Sequence, residues 1–226
     1  MNQMKKVLVI LSIGFLLFGC KQKQPTQKVE LNQNLIDELS KMAVTDQLAA
    51  ANAYPPESHS NLTLEEWKAF KDSIYKAHEQ RLKEMVDIYG FVGFDLAGKE
   101  GSYNFWLMVQ HADHDPAFQL EVLEKMKVQV DNNNADPGNY GFLVDRVNLN
   151  LGKPQVYGTQ VNYNLELAQA FPKHLKDSAN VNERRKSIGL EPLEEYLNRM
   201  SIMHYEMNKQ RYLDKGIIEP KLYQLK

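Results

Sequence analysis

Three helix-start signatures constrain this chain more than any other feature: Thr63-Leu64-Glu65-Glu66, Asp115-Pro116 and Asp136-Pro137. In the first, a threonine hydroxyl and a glutamate carboxylate three residues on satisfy each other's orphan backbone amides. In the other two, an aspartate N-cap precedes a proline, whose missing donor and fixed φ suit the first helical position. After Thr63, the residues Trp67, Phe70, Ile74, Ala77, Arg81, Met85 and Ile88 recur at helical spacing as far as Gly90. The two proline-led helices are predicted to run to about Val130 and to Gly152. An earlier helix is expected over 34–52, with Leu35, Leu39, Met42 and Ala43 on one stripe, ended by Tyr54-Pro55-Pro56. Others are expected over 102–112 and 182–188, and a last one after Pro192 with Leu193, Leu197, Met200, His204 and Met207 as its seam. Only residues 155–163 alternate like a strand. The expected fold is therefore mainly α: a bundle-like single domain over 34–226, with a small strand or hairpin near 155–163 and a helical extension after about residue 199.

The N-terminus has a different character. Lys5 and Lys6 precede an apolar run from Val7 to Phe18, followed by Gly19 and Cys20. A basic start, a short apolar run and a small residue before a processing site are the parts of a secretory signal, and the run is short for a membrane span. Leu17-Phe18-Gly19-Cys20 resembles the lipobox of bacterial lipoproteins. The resemblance implies a signal peptide over 1–19, cleavage before Cys20, and acylation of both its thiol and its new amino group, palmitate-type chains forming the anchor. Residues 20–33 then form the lipidated cysteine and a polar tether. Lys21 and the lack of an acidic cluster beside Cys20 resemble sorting patterns for an outer membrane facing the periplasm.

Cys20 is the only cysteine, so its acylation removes disulfides and thiolate catalysis from consideration, and the domain must be held by its core. A hydrophobic content of 43% is enough for one, and argues against disorder. The net charge of −2 and the lack of a basic stretch argue against a nucleic-acid partner.

Polar groups interrupt the apolar segments in three places. On a helix, Leu107, His111 and His114 share one face, and Trp106, Gln110 and Asp113 another. Asp145-Arg146 interrupts Phe142-Leu143-Val144 and Val147, and reads as an ion pair holding a helix in register. Gln155, Tyr157, Thr159 and Gln160 surround Gly158, and either satisfy a turn or face a ligand. His111-Ala112-Asp113-His114 contains metal-ligand types but lacks a second ligand set, so no metal and no cofactor are expected. An acid–base pair of His111 with Asp145 is chemically possible. No nucleophile elbow, phosphate loop or paired-carboxylate pattern names a reaction.

Taken in order, Asp46-Gln47, Tyr89-Gly90-Phe91, the block from Trp106 to Asp113 with Phe118-Gln119, Asp145-Arg146, Pro154 to Gln160, and Val181 to Arg185 resemble a bacterial family classified only as a domain of unknown function. The QHAD and PQxYGTQ blocks are specific as a pair, and the resemblance runs from about Leu35 to Leu197. It implies that Asp46, Gln47, His111, Asp113, Gln119, Asp145, Arg146, Gln155, Tyr157, Gln160 and Arg185 occupy motif positions, but it brings no activity. Such a set fits a shared polar pocket for a small molecule or a peptide- or glycan-like ligand. Two alternatives stay open. One is a hydrolase or transferase with His111 as acid or base, oriented by Asp145 or Asp113, and Arg146 or Arg185 holding an anion. The other is an envelope scaffold that meets partner proteins through Met203, Tyr205 and Met207.

Overall fold

The computed structural model describes residues 30–225; the signal segment, Cys20 and the tether up to residue 29 lie outside the described residues. Helix α1 (Gln33–Ala51) begins on the last residue assigned to the tether, with the Asn32 side chain accepting from the Leu35 amide at 3.1 Å. Helix α2 (Leu64–Tyr89) carries both halves of the Thr63–Glu66 capping box. Asp115 and Asp136 cap α4 (Pro116–Asp131) and α5 (Pro137–Asn150), each followed by proline in the first turn.

Helix α3 (Phe94–Gln110) starts eight positions before the expected Ser102 and is kinked at Gly98, where φ is +66°. Its first turn is held from outside: Asn134, beyond α4, accepts the Phe94 amide on its carbonyl at 2.9 Å and the Asp95 amide on its side chain at 2.8 Å. That cap is non-local, so nothing beside Phe94 in sequence announces it. Helices α1 to α5 enclose the main core, in which Leu39, Leu82, Phe105, Val109, Val122 and Leu143 are fully buried.

The β element lies further on than the alternation indicated. Residues 155–160 make a loop whose one ladder contact is a bridge from Gln155 to Leu175. The hairpin is β1 (Val161–Asn164) against β2 (Gln169–Pro172), antiparallel, with Val161 opposite Pro172. Helix α6 (Val181–Ser187) ends at Gly189, whose φ is +74°.

Helix α7 (Leu193–Met207) buries Leu193, Tyr196, Leu197, Ser201 and Tyr205, so the predicted seam through His204 and Met207 is corrected. Tyr205 is 3% exposed and cannot be a surface anchor, whereas Met207 is 71% exposed. Ser201 explains the rotation: its hydroxyl donates to the Leu197 carbonyl and accepts the Ala170 amide at 2.8 Å, drawing β2 onto the helix. A short α8 (Lys209–Leu213) follows, and the tail returns along α7. There Asn198 exchanges two hydrogen bonds with the Tyr223 backbone, and the Tyr223 hydroxyl donates to the Ala170 carbonyl at 2.9 Å. The extension is thus a strap on the second core of Ala170, Val181, Leu193, Tyr196 and Leu197. Among the described residues no helix is long and apolar enough to cross a membrane.

Candidate functional site

Where the two cores meet, a cleft of about 310 Å³ opens between α3, α5, the 155–160 loop, β1 and α7. Its apolar wall is a run of rings in edge-to-face contact: Trp106 on Phe142 with centroids 6.3 Å apart, and Phe142 on Tyr196 at 5.9 Å. Tyr163 and Met200 extend that wall, and His111, Gln110, Arg146 and Gln160 add polar groups. Burial pushes the Tyr196 phenol up to about 12, and its hydroxyl donates to the Thr159 carbonyl.

Two cleft-lining side chains bury a nitrogen behind the cleft wall. Trp106 is 7% exposed and Gln110 is 4% exposed, and Trp106 Nε1 and Gln110 Nε2, both sealed from solvent, have no hydrogen-bond partner among the described residues. The amide orientation of Gln110 is fixed by chemistry. Arg146 Nε donates to Gln110 Oε1 at 3.0 Å, and a guanidinium cannot accept, so the oxygen must face Arg146 and the NH2 group stays free. Unpaired buried donors are rare in folded proteins, and each costs about 1–3 kcal/mol.

His111 caps the C-terminal end of α3. Its Nδ1 lies 2.8 and 3.0 Å from the two carboxylate oxygens of Asp46 on α1. The pairing with Asp145 or Asp113 is therefore corrected: the carboxylate on His111 comes from the buried stripe Leu35, Leu39, Ala43 and Asp46 of α1. Burial acts to raise the Asp46 carboxyl pKa, but hydrogen bonds from His111 and Gln47, with the His78 imidazole 3.8 Å away, outweigh it and hold the group below its ordinary range. An ionised carboxylate only accepts, so Nδ1 carries a proton and donates it to Asp46. Gln47 donates to Asp46 at 2.9 Å, and the Tyr75 ring packs 5.5 Å from the imidazole.

Asp145 is fully buried on α5 and faces the 155–160 loop instead. It accepts the amides of Val156, Tyr157 and Thr159 at 2.7, 3.0 and 2.8 Å, and the Thr159 hydroxyl at 3.0 Å. Gln155 closes the loop with two bonds to the Gln160 backbone, at 2.9 and 2.7 Å. Arg184 donates to the Val156 carbonyl, and fully buried Arg185 donates to those of Tyr157 and Glu191. Burial pulls the Arg185 pKa down, and its guanidinium lies 4.9 Å from the Tyr196 ring centroid. These residues give a segment without a sheet ladder somewhere to place its amides and carbonyls. Gly158, with φ at +73°, permits the turn, and a Cβ there would stand 3.0 Å from Leu193.

Asp145 and Arg146 do not pair with each other. Arg146 instead reaches Asp113 at 2.7 Å as well as Gln110. Behind them, buried Gln119 donates to the Val109 carbonyl at the end of α3 and to Asp113, while Asn150 donates to both Asp113 and Gln119.

The structure thus brings His111, Arg146 and Gln160 to one cleft, with Asp46, Gln47, Asp113, Gln119, Asp145, Gln155 and Arg185 buttressing it from behind. Tyr157 contributes backbone to the loop and does not line the cleft. Sequence reasoning missed the rings of Phe142, Tyr163 and Tyr196 as cleft walls, and His78 as a neighbour of Asp46. The signal that could have found Asp46 as a partner is its place on the apolar stripe of α1. His111, Asp113 and His114 turn to different partners, namely Asp46, Arg146 and Glu79. Among the described residues no group of three or more His, Cys, Asp or Glu side chains is set to hold a metal ion.

A family model described as Family of unknown function (DUF6624) matches residues 33–208. The match starts at the first residue of α1 and ends just beyond α7, so the point of departure moves from Arg199 to the junction with α8. No curated protein and no solved structure matches the chain.

Proposed function

We propose that this chain, which belongs to that family of unknown function, is a lipid-anchored protein of a bacterial cell envelope whose domain binds a small peptide-like or glycan-like ligand in the cleft. The observation that carries the reading is a cleft that sets a run of rings, Trp106, Phe142, Tyr163 and Tyr196, beside the polar side chains of His111, Arg146 and Gln160. A ligand rich in carbonyl or hydroxyl oxygens suits the Arg146 and Gln160 side chains, and the rings of Phe142, Tyr163 and Tyr196 offer flat surface to a sugar or peptide face. The lipobox resemblance at Leu17 to Cys20 supports the anchor, and Lys21 supports an outer-membrane address facing the periplasm.

The test is calorimetric titration of the full-length protein in detergent with a soluble disaccharide–tetrapeptide muropeptide. Saturable binding is expected, weakened about tenfold in Gln160→Leu for the loss of one hydrogen bond to the ligand. No binding, or equal affinity in the variant, would count against the cleft. Labelled palmitate incorporated by the wild type and lost in Cys20→Ser tests the anchor separately.

A further inference from the structure

Arg146 is the one lysine or arginine among the residues that line the cleft, and the fold uses only part of it. Its Nε donates to Gln110 Oε1 at 3.0 Å and its Nη1 to Asp113 at 2.7 Å. Nη2 has no hydrogen-bond partner among the described residues, and unlike the sealed nitrogens of Trp106 and Gln110 it is open to solvent, on a side chain 25% exposed. In a planar guanidinium Nε and Nη2 share one edge. That edge runs to Gln110, itself a cleft-lining residue, whereas Asp113, which is not, takes the Nη1 side. Asp113 also accepts from Asn150 and Gln119, so its carboxylate is shared among three donors. The lining residues include neither Asp nor Glu. Burial raises the phenols of Tyr163 and Tyr196, the latter to about 12, so both rings are uncharged at neutral pH. An incoming anion therefore meets no charge of its own sign on these walls.

Resting on the cleft as the ligand's site, we infer that the cleft selects an acid: a peptide or glycan bearing a carboxylate that Arg146 Nη2 holds, with its flat face against Phe142 and Tyr196. A hydrogen bond from a guanidinium to a carboxylate is about twice as strong as one between neutral groups. The rings give contact to any flat ligand, so they add affinity without choosing by charge. The choice falls to Arg146. A neutral ligand of the same shape keeps the rings and forfeits the charge-assisted bond. A cationic one sets its charge against the guanidinium, with no carboxylate on the lining to offset it.

The experiment titrates full-length protein in detergent with two forms of the disaccharide–tetrapeptide muropeptide. Both are acetylated at any side-chain amine; one keeps its carboxylates and the other has them converted to amides. The acid form is expected to bind about tenfold more tightly or better. In Arg146→Gln, which stays polar but loses the charge, the two forms are expected to bind within about twofold of each other. Arg146 also braces Gln110 and Asp113, so unfolding curves establish that the variant keeps its fold. The wild-type comparison of the two forms needs no variant and stands if that one fails to fold. Equal affinity of wild type for the two forms, or a preference for the acid that survives in folded Arg146→Gln, overturns the inference. Saturable binding without a preference keeps the cleft as the ligand's site and loses only the acid, whereas binding of neither form removes both.

Discussion

Asp46 and His111, sixty-five positions apart, meet with His111 Nδ1 2.8 Å from an Asp46 carboxylate oxygen. The contact ties the buried face of α1 to the end of α3, and it settles that His111 Nδ1 carries a proton. The acid side of the stability profile should report it. The Asp46 carboxyl is held below its ordinary value of 3.8 in the folded protein, although burial alone would raise it. Its contribution is therefore complete above pH 4 or so and is lost as pH falls through the depressed folded value. Urea unfolding of wild type and Asp46→Asn between pH 7 and pH 2 should show a stability gap that closes only at the acid end.

Asp145 is the anchor of the 155–160 loop. Asp145→Ala would leave three backbone amides and a threonine hydroxyl without their acceptor in a buried setting. A loss of about 3 kcal/mol or more is expected in denaturant unfolding, together with weakened ligand binding as Gln160 loses its support.

Gly158 and Gly189 both sit in the left-handed region, at φ of +73° and +74°, but only the first has a neighbour in the way. Gly189→Ala should cost about 1 kcal/mol from backbone strain alone. Gly158→Ala adds the approach to Leu193 and should cost about 2 kcal/mol. Parallel thermal melts compare them.

Arg185 is fully buried and donates to two backbone carbonyls while lying against the Tyr196 ring. Lysine cannot reproduce that planar fork, so Arg185→Lys should destabilise by about 2 kcal/mol despite keeping the charge. Equal stability of the two would count against the role assigned to the guanidinium.

Local signals carried much of this fold into the sequence. Thr63, Asp115 and Asp136 announced three helices, because a cap and the amides it satisfies lie within a few residues. The start of α3 was illegible because its cap, Asn134, lies some forty positions away. Residues 155–160 alternate like a strand yet form a loop, because Asp145, Gln155 and Arg185 take the hydrogen bonds a partner strand would take. The seam of α7 turned on Ser201, a polar residue that reads as exposed until its acceptor role toward the Ala170 amide is seen. At the site, the motif positions were visible but their division of labour was not. Gln155, Asp145 and Gln119 look like ligand-binding groups from their types alone, and only three-dimensional geometry shows them serving backbone.

The central claim, that the cleft takes a ligand against its aromatic wall, can be read from one indole. The chain has two tryptophans, so a proton–nitrogen correlation spectrum contains two indole signals. Trp67 Nε1 donates to the Asn52 carbonyl at 3.1 Å away from the cleft and serves as an internal control, while Trp106 lines the cleft. On titration with the muropeptide, the Trp106 indole signal should shift with saturation and the Trp67 signal should stay in place. A Trp106 signal that does not move while the ligand binds would place the ligand elsewhere and contradict the account.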